Sequence, residues 1–301
     1  MRITNNVVTR NFINNMSKDL SQVTKAQEQL SSGKVISKPS DNPTLASKIM
    51  NLDNSIKENE QYSKTIDSSM NWINTADGSL SNAADTLQRV RELVVSGANG
   101  TLTDSDRAAS AEEVSTLSQQ LADELNTKFD GRYIFGGQKT TEAPFAVNNG
   151  VLEYKGDSNN ISREIAANVT VPIPSDGGQL TNTTGTSSTD NGNLGKLLSS
   201  IVTALKNGDT GALSGSILGD LDIHIGNVVN FRSKMGAVYN RLDAAGQRNA
   251  TENTSMTELL SNSEDVDVAA KTVEYNSMST VYQSCLSAGA KLLKTSLLDY
   301  L

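Results

Sequence analysis

One histidine and one cysteine are the only imidazole and thiol in this chain of 301 residues, and neither stands among residues that would make it reactive. His224 lies between Ile223 and Ile225 in a helical stretch. With no second histidine, neither a nitrogen-rich metal set nor a Ser-His-Asp arrangement has support, so it reads as a structural or surface residue. Cys285 falls on the apolar stripe of the last predicted helix, with no histidine near it in sequence, and reads as a small buried hydrophobe. Having no second cysteine, it forms no intramolecular disulfide. Phe135-Gly136-Gly137 follows a short strand pattern without the G-x-x-x-x-G-K-[ST] spacing of a phosphate loop, which makes it a turn. Asp104, Asp106, Glu112 and Glu113 could pair for acid–base work, but acids at the start of an amphipathic helix serve its dipole first. No EF-hand loop occurs. The residues therefore predict no enzyme, no cofactor and no metal.

What the chain does carry is helical periodicity. Sevens counted from Leu45 give Leu52, Asn59, Ile66, Ile73, Leu80, Leu87 and Val94. The offset series Ile49, Ile56, Ser63, Met70, Asp77, Ala84 and Arg91 is apolar at its start and middle and fades later. This is a heptad seam on a helix of roughly 50 residues, about 75 Å long. Asn59 is the polar member of the strong series: either a register-setting residue in the seam or an interruption at a wet edge.

A shorter stripe precedes it, Ile13, Met16, Leu20, Val23, Gln27 and Leu30, in steps of three and four. Between the two helices lies QLSSGKVISKPSDNP, in which Gly33 serves as a C-terminal cap and Asn42 with Pro43 as N-cap and first helical residue. Pro39 stiffens the same joint. Thr103 and Asp106 form a capping box that opens a third helix through Val114, Leu117, Leu121 and Leu125 to about Phe129.

The segments GRYIFGG, APFAV, VLEYKG and NVTVPIP then alternate with Gly, Asn and Asp turns as short strands do. The low-complexity run from about Ser175 to Asn193 reads as a mobile surface loop. Helical spacing returns with Leu194, Leu197, Leu198, Ile201, Val202 and Leu205, and a long helix is expected from about Gly211 to Asn262. The last helix, from near Asp265, carries Tyr275, Met278, Tyr282, Cys285, Gly289 and Leu292 in steps of three and four. The fold class expected is mainly α: a long antiparallel coiled-coil-like helical rod built from both termini, with a small β-rich insertion in the middle of the chain.

Only 36% of residues are hydrophobic and 4% aromatic, which suits a thin elongated core better than a thick one. With 26 basic against 34 acidic residues, and no basic run, nucleic acid is not an expected partner. The start, MRITNNVVTRNFINNM, lacks the apolar run of about 7–15 residues of a secretory signal, and no run of about 18 apolar residues occurs. A soluble chain with no membrane partner is expected, leaving the cell, if it does, without a cleavable signal peptide.

Taken together, MRITNN, QLSSGKVISKPSDNP, NEQYSKTIDSSMNWINTAD, LQRVRELVVSGANGTLTDSDR, NTKFDGRYIFGG and GAKLLKTSLLDYL resemble the flagellin family of bacteria over nearly the whole chain outside residues 140–190. Pro39, Pro43, GRYIFGG with Pro144-Phe145 nearby, the ending SLLDYL and the small insertion fit the family's junction subunits, which join hook to filament. The alternative is a filament flagellin or flagellin-like protein.

The resemblance implies three domains. Residues 1–40 and 265–301 would pair as an inner coiled-coil domain, 41–131 and 192–264 would form a helical rod domain, and 132–191 a small outer β-rich domain with the mobile loop. Gly33, Pro39, Asn42 and Pro43 would then be the joint between inner and rod domains. Ile13, Met16, Leu20, Val23, Leu30, Tyr275, Met278, Tyr282, Cys285 and Leu292 would form the assembly seam. Arg89, Leu93 and Glu113 match the family's lateral rod surface. It further implies a structural, non-enzymatic role in motility and secretion by type III export to the extracellular flagellum. The implied partners are a ring of its own copies, hook-associated protein 1, flagellin, and a cytoplasmic export chaperone at the C-terminal helix.

Overall fold

The computed structural model describes the backbone of residues 2–182 and 193–298 and the side chains of residues 7–182 and 193–291. The chain is mainly helical, with long helices at both ends and the strands confined to its middle, as the periodicity requires. It divides into two compact units, residues 1–58 with 251–301 and residues 59–250. The cuts fall about 14 to 18 residues inside the expected inner–rod boundaries at 40/41 and 264/265, within two long helices, α2 (Pro43–Ala98) and α7 (Leu218–Glu264).

The larger unit is organised on the predicted heptad. Ile66, Ile73, Leu80, Leu87 and Val94 of α2 are all essentially buried. The second seam position, however, is Ser69, Ala76, Ala83, Val90 and Gly97, one residue before the offset series read from the sequence. These side chains are mostly small, so neighbouring elements approach the α2 backbone closely; a Cβ on Gly97 would stand 2.4 Å from Leu205 Cδ2. Asp77 and Arg91 of the expected offset series lie beside this seam and bond to α7. Arg232 Nε donates to Asp77 at 2.7 Å, and Arg91 Nε to Asp222 at 2.7 Å.

Asn59 resolves in favour of a register residue. It is buried, its side-chain amide donates to the Asn249 carbonyl at 3.0 Å, and the Asn249 amide returns a bond to the Asn59 carbonyl at 3.0 Å and another to the Asn59 Oδ1. One strand of apolar residues can slide by a heptad at little cost; a reciprocal buried amide pair cannot, because a slip leaves both amides unsatisfied.

α3 (Asp104–Leu125) begins with the expected capping box at Thr103 and Asp106. It stops at Leu125 and does not reach Phe129, because the Asn126 side chain is tied to the main chain of Phe145 by two bonds of 2.9 and 3.0 Å. α5 (Leu194–Asn207) packs on α3 and buries Leu194, Leu197, Leu198, Ile201 and Leu205. The helix expected from Gly211 is interrupted. A short turn α6 (Thr210–Ala212) and a wide turn at Leu213–Ile217, with Gly215 outside helical angles, precede α7.

The strands form three antiparallel hairpins: β1 (Lys128–Phe129) with β2 (Arg132–Tyr133), β3 (Phe145–Asn148) with β4 (Val151–Tyr154), and β5 (Ile161–Ala166) with β6 (Val169–Ile173). Asp130-Gly131 and Asn149-Gly150 turn the first two with positive φ at both residues, as tight two-residue hairpins demand. β5, ISREIA, was not among the predicted strands; its alternation is weakened by Arg163 and Glu164.

The segment read as starting a mobile loop at Ser175 is structured to Asn182. Ser175, Asp176, Leu180 and Thr181 are buried, and α4 (Gly178–Thr181) forms a single turn. Ser175 Oγ accepts from the Ile161 amide at 3.1 Å, and the Gly177 amide donates to the Phe135 carbonyl at 3.0 Å. The small residues that gave this run its loop-like composition are here because backbone packs on backbone. Residues 183–192 of the expected loop lie outside the described residues.

The smaller unit holds α1 (Arg2–Ser32) packed along α8 (Val268–Leu298), together with residues 43–58 of α2 and 251–264 of α7. α8 starts at Val268, not Asp265, because the Asp267 carboxylate caps it by accepting from the amides of Ala269 and Ala270, both at 3.0 Å.

Candidate assembly surfaces

The joint is a two-stranded closure within the smaller unit. Gly33 adopts the left-handed conformation, φ 72°, and its amide donates to the Gln29 carbonyl at 2.9 Å, ending α1 as predicted. The chain then pairs with the segment before α8: Val35 N–H donates to the Glu264 carbonyl at 2.7 Å and Val266 N–H to the Gly33 carbonyl at 2.9 Å, around an antiparallel bridge between Lys34 and Asp265. The Gln29 side-chain amide donates to the Val35 carbonyl, and Lys34 is paired with Glu264, whose bond holds the ammonium above its ordinary pKa. Asn42 Oδ1 accepts from the Leu45 amide at 3.1 Å and Pro43 opens α2, both as expected, while Pro39 lies exposed in the intervening bend. Sequence reasoning missed the Glu264-to-Asp267 half of this joint. Its one local signal is the N-cap Asp267.

The α1–α8 seam is narrower than its apolar residues. On α8 the partly covered positions include Tyr275, Met278, Tyr282 and Cys285, with Gly289 buried, as the spacing predicted. On α1 the covered line is Phe12, Met16, Asp19, Val23, Ala26 and Leu30. Met16, Val23 and Leu30 thus stand in the seam, whereas Ile13 (52% exposed) and Leu20 (47%) lie one residue off it. The predicted stripe followed chain hydrophobicity; the packed line follows small-to-large fit, for Phe12 sits on Gly289, where a Cβ would come within 2.4 Å of the ring. The Leu292 side chain lies outside the described residues.

Cys285 Sγ faces Asp19 Oδ2 at 3.7 Å, and burial together with this carboxylate raises the thiol pKa, which leaves it a poor nucleophile. Beyond the seam, Val7, Val8, Ile13 and Leu20 on α1 and Val268, Val273, Val281 and Leu286 on α8 are exposed.

The third predicted set divides. Arg89 bridges Glu113 at 2.8 Å and Glu92 at 2.9 Å, and these acids hold its guanidinium above its usual pKa. Both Arg89 and Glu113 have about half their side chains in solvent. Leu93 is not a surface residue: it is 8% exposed and belongs to the core, because it lies next to Val94 and one turn from Val90 on the buried face of α2. Among the described residues no group of acids, His or Cys could hold a metal, and no helix is long and apolar enough to cross a membrane.

Residues 3–140 match the bacterial flagellin N-terminal helical region and residues 218–301 the bacterial flagellin C-terminal helical region, together well over half of the chain. Flagellar hook-associated protein 3 of Escherichia coli K12 is 27% identical over 305 aligned residues, covering 96% of each chain. Its counterpart from Salmonella typhimurium is 31% identical over 183 residues, 60% of this chain and 57% of its own. Among solved structures, the flagellar junction protein of Legionella pneumophila superposes with a TM-score of 0.58 at 17% identity, over 72% of this chain and 99% of its own. Flagellin of Bacillus subtilis is likewise 28% identical over 94% of this chain and 93% of its own, and the chain belongs to the bacterial flagellin family, in which its relatives over nearly the full length include hook-associated protein 3.

Proposed function

We propose that this chain is the structural subunit that joins hook to filament in the bacterial flagellum, acting by assembly and not by catalysis. The observation that carries the reading is the surplus of exposed apolar residues on the paired terminal helices, set beside the full-length likeness to hook-associated protein 3. Fully burying a Val, Leu or Ile side chain is worth about 1.5–3 kcal/mol. Each half-exposed residue here therefore holds back on the order of 1 kcal/mol. Eight such residues are enough to offset part of the entropy lost on association and to make polymerisation the state in which the ends are satisfied.

In this reading residues 1–40 and 265–301 are the inner domain, with Ile13, Leu20 and the exposed valines of α8 facing neighbouring copies. Residues 41–131 and 192–264 are the rod and 132–191 the outer domain. The closure at Gly33, Pro39, Asn42 and Pro43 separates inner from rod segments, and Arg89 with Glu113 presents a polar lateral face. The partners are copies of itself in a ring, hook-associated protein 1 on one side and flagellin on the other, with a cytoplasmic chaperone on the C-terminal helix before type III export to the extracellular flagellum.

The test is assembly and position. Labelled protein should localise to a single band at the base of each filament, and a strain lacking it should shed flagellin into the medium. Long filaments grown from seeds of the purified chain alone would identify a filament flagellin and overturn the junction role.

A further inference from the structure

Asn-Gly steps occur in the chain at Asn99, Asn149, Asn191 and Asn207. This dipeptide has a chemistry of its own. The glycine amide nitrogen attacks the Asn side-chain Cγ, because glycine has no Cβ to block the approach or to restrict the backbone. A C–N bond forms, the attacking nitrogen gives up its proton, and the side-chain nitrogen leaves as ammonia. Water then opens the succinimide at one carbonyl or the other, leaving aspartate or isoaspartate. Ring closure makes two demands on a folded chain: the glycine N–H must be free of an acceptor, and the Asn backbone must be free to turn until that nitrogen stands over Cγ.

Asn191 lies outside the described residues; the other three steps meet these demands unequally. At Asn207, the Gly208 N–H caps α5 by donating to the carbonyls of Ala204 and Leu205, so the nucleophile is engaged. Asn149-Gly150 is the two-residue turn between β3 and β4, with φ 52° and 79°, and the paired Asn148 and Val151 flank it directly. Turning the Asn149 backbone would break that pair. Asn99-Gly100 is held by neither device. α2 ends at Ala98, the Asn99 N–H reaches the Ser96 carbonyl at 3.4 Å, and the Gly100 and Thr101 amides have no acceptor among the described residues. Main-chain bonding resumes where the Leu102 carbonyl accepts from Arg107 at 2.8 Å. Residues 99–101 are exposed, and the nearest group to a Cβ built on Gly100 would be the Thr210 methyl at 3.9 Å, which leaves room for the rotation.

We propose that Asn99 is a spontaneous modification site of this fold, deamidated with water as co-reactant to aspartate and isoaspartate while Asn149 and Asn207 persist. The product is not neutral where it forms. A carboxylate appears just beyond the C-terminus of a helix of 56 residues, where the helix dipole disfavours negative charge and the last turn holds no basic residue to offset it. The same end of α2 carries Gly97 against Leu205, so the modification loosens the α2–α3 turn beside a closely packed contact.

The test follows conversion by mass-spectrometric peptide mapping of the full-length chain kept in mildly alkaline buffer, once folded and once in urea. In urea the three asparagines should convert at similar rates, since each is then the same dipeptide in an open chain. In the folded chain Asn99 should stay close to its unfolded rate, while Asn149 and Asn207 slow by about 10-fold or more, because each must first open the bonds that hold it. Protection of Asn99 as strong as that of the other two, or conversion of Asn149 or Asn207 at the rate of Asn99 in the folded chain, overturns the site. Asn99→Asp, set beside Asn99→Ser as the uncharged control, should speed amide exchange in the last turn of α2. Equal exchange in the two variants overturns the loosening.

Discussion

The two units bury their apolar residues to different degrees. In the larger one, the heptad residues Ile66, Ile73, Leu80, Leu87 and Val94 are covered by elements from the same chain, down to 0% exposure at Leu80, Leu87 and Val94. In the smaller one, two helices of 31 residues each meet along a single line, and residues as apolar as Ile13, Leu20, Val273 and Val281 stay at least 47% exposed. A pair of helices has only one mutual face, so any second apolar stripe must be covered by another chain or stay in water. The difference separates a part of the molecule that is finished on folding from a part that is finished on assembly.

The comparison is broken most sharply by matched truncations. Leu87→Ala should cost about 2–5 kcal/mol, the range for a leucine removed from a closed core. Leu20→Ala should change the unfolding free energy of the isolated chain by no more than about 0.5 kcal/mol, as exposed substitutions do, yet impair assembly. Urea unfolding of both variants at dilute concentration tests this. Equal destabilisation would mean that the Leu20 face is already packed in the monomer.

A second contrast lies in how each unit sets its register. Asn59→Ala strands the Asn249 amide in a buried seam and should cost about 1–3 kcal/mol. Asn59→Leu combined with Asn249→Leu should recover most of that stability, since both polar partners are then gone. A double-mutant cycle measures the coupling, and additive single effects would show that the amide pair is incidental. The smaller unit has no such pair in its described residues; its register is set by the strand-like closure of Lys34 on Asp265.

These two devices mark the limits of what the sequence discloses. The heptad from Ile66 to Val94, the caps at Thr103, Gly33 and Asn42, and the α8 stripe were legible because each rests on local spacing or on a residue type with one favoured backbone role. The α1 seam was legible only at Met16, Val23 and Leu30; Ile13 and Leu20 fell off it, because which of two adjacent stripes packs depends on a long-range fit, Phe12 against Gly289. Leu93 was misplaced because a motif match carries a position but not the helix face. The 175–182 turn was hidden by composition: glycine and serine signal flexibility in isolation and close packing in context.

Glycine substitutions sharpen the comparison at smaller scale. Gly97→Ala places a methyl 2.4 Å from Leu205 Cδ2, which is itself fully buried, and should cost about 1–3 kcal/mol by overpacking. Gly289→Ala makes an equally short approach to the Phe12 ring, but Phe12 is only partly covered and can swing outward. Its effect on monomer unfolding should stay within about 0.5 kcal/mol, with the loss appearing as faster amide exchange along α1. A Gly289→Ala variant as destabilised as Gly97→Ala would show that the terminal pair is as rigid as the core.

The smallest expected effects are on pH dependence, and they fall at opposite ends of the scale. In the larger unit, Asp106 is held below its ordinary pKa, first by the Thr103 hydroxyl and then by the Thr103 amide. A depressed carboxylate contributes stability above its unfolded pKa of about 3.9 and loses it as pH falls through the folded value. In the smaller unit, burial and then Asp19 raise the Cys285 thiol. A raised thiol contributes stability below its unfolded pKa of about 8.5, and that contribution is lost as pH rises through the folded value. Asp106→Asn should therefore flatten the acid limb of the stability profile and leave the alkaline limb intact. Cys285→Ala should do the reverse, without loss of export or motility, since nothing near the thiol equips it for chemistry. Iodoacetamide labelling supplies the direct measurement: Cys285 in the folded chain should react more slowly at pH 8 than in the urea-unfolded chain, and Asp19→Asn should narrow that gap. Labelling as fast as in the unfolded chain would mean that the terminal helices open too often for the carboxylate to act on the thiol, and the contrast between a finished and an unfinished unit would then extend to the seam itself.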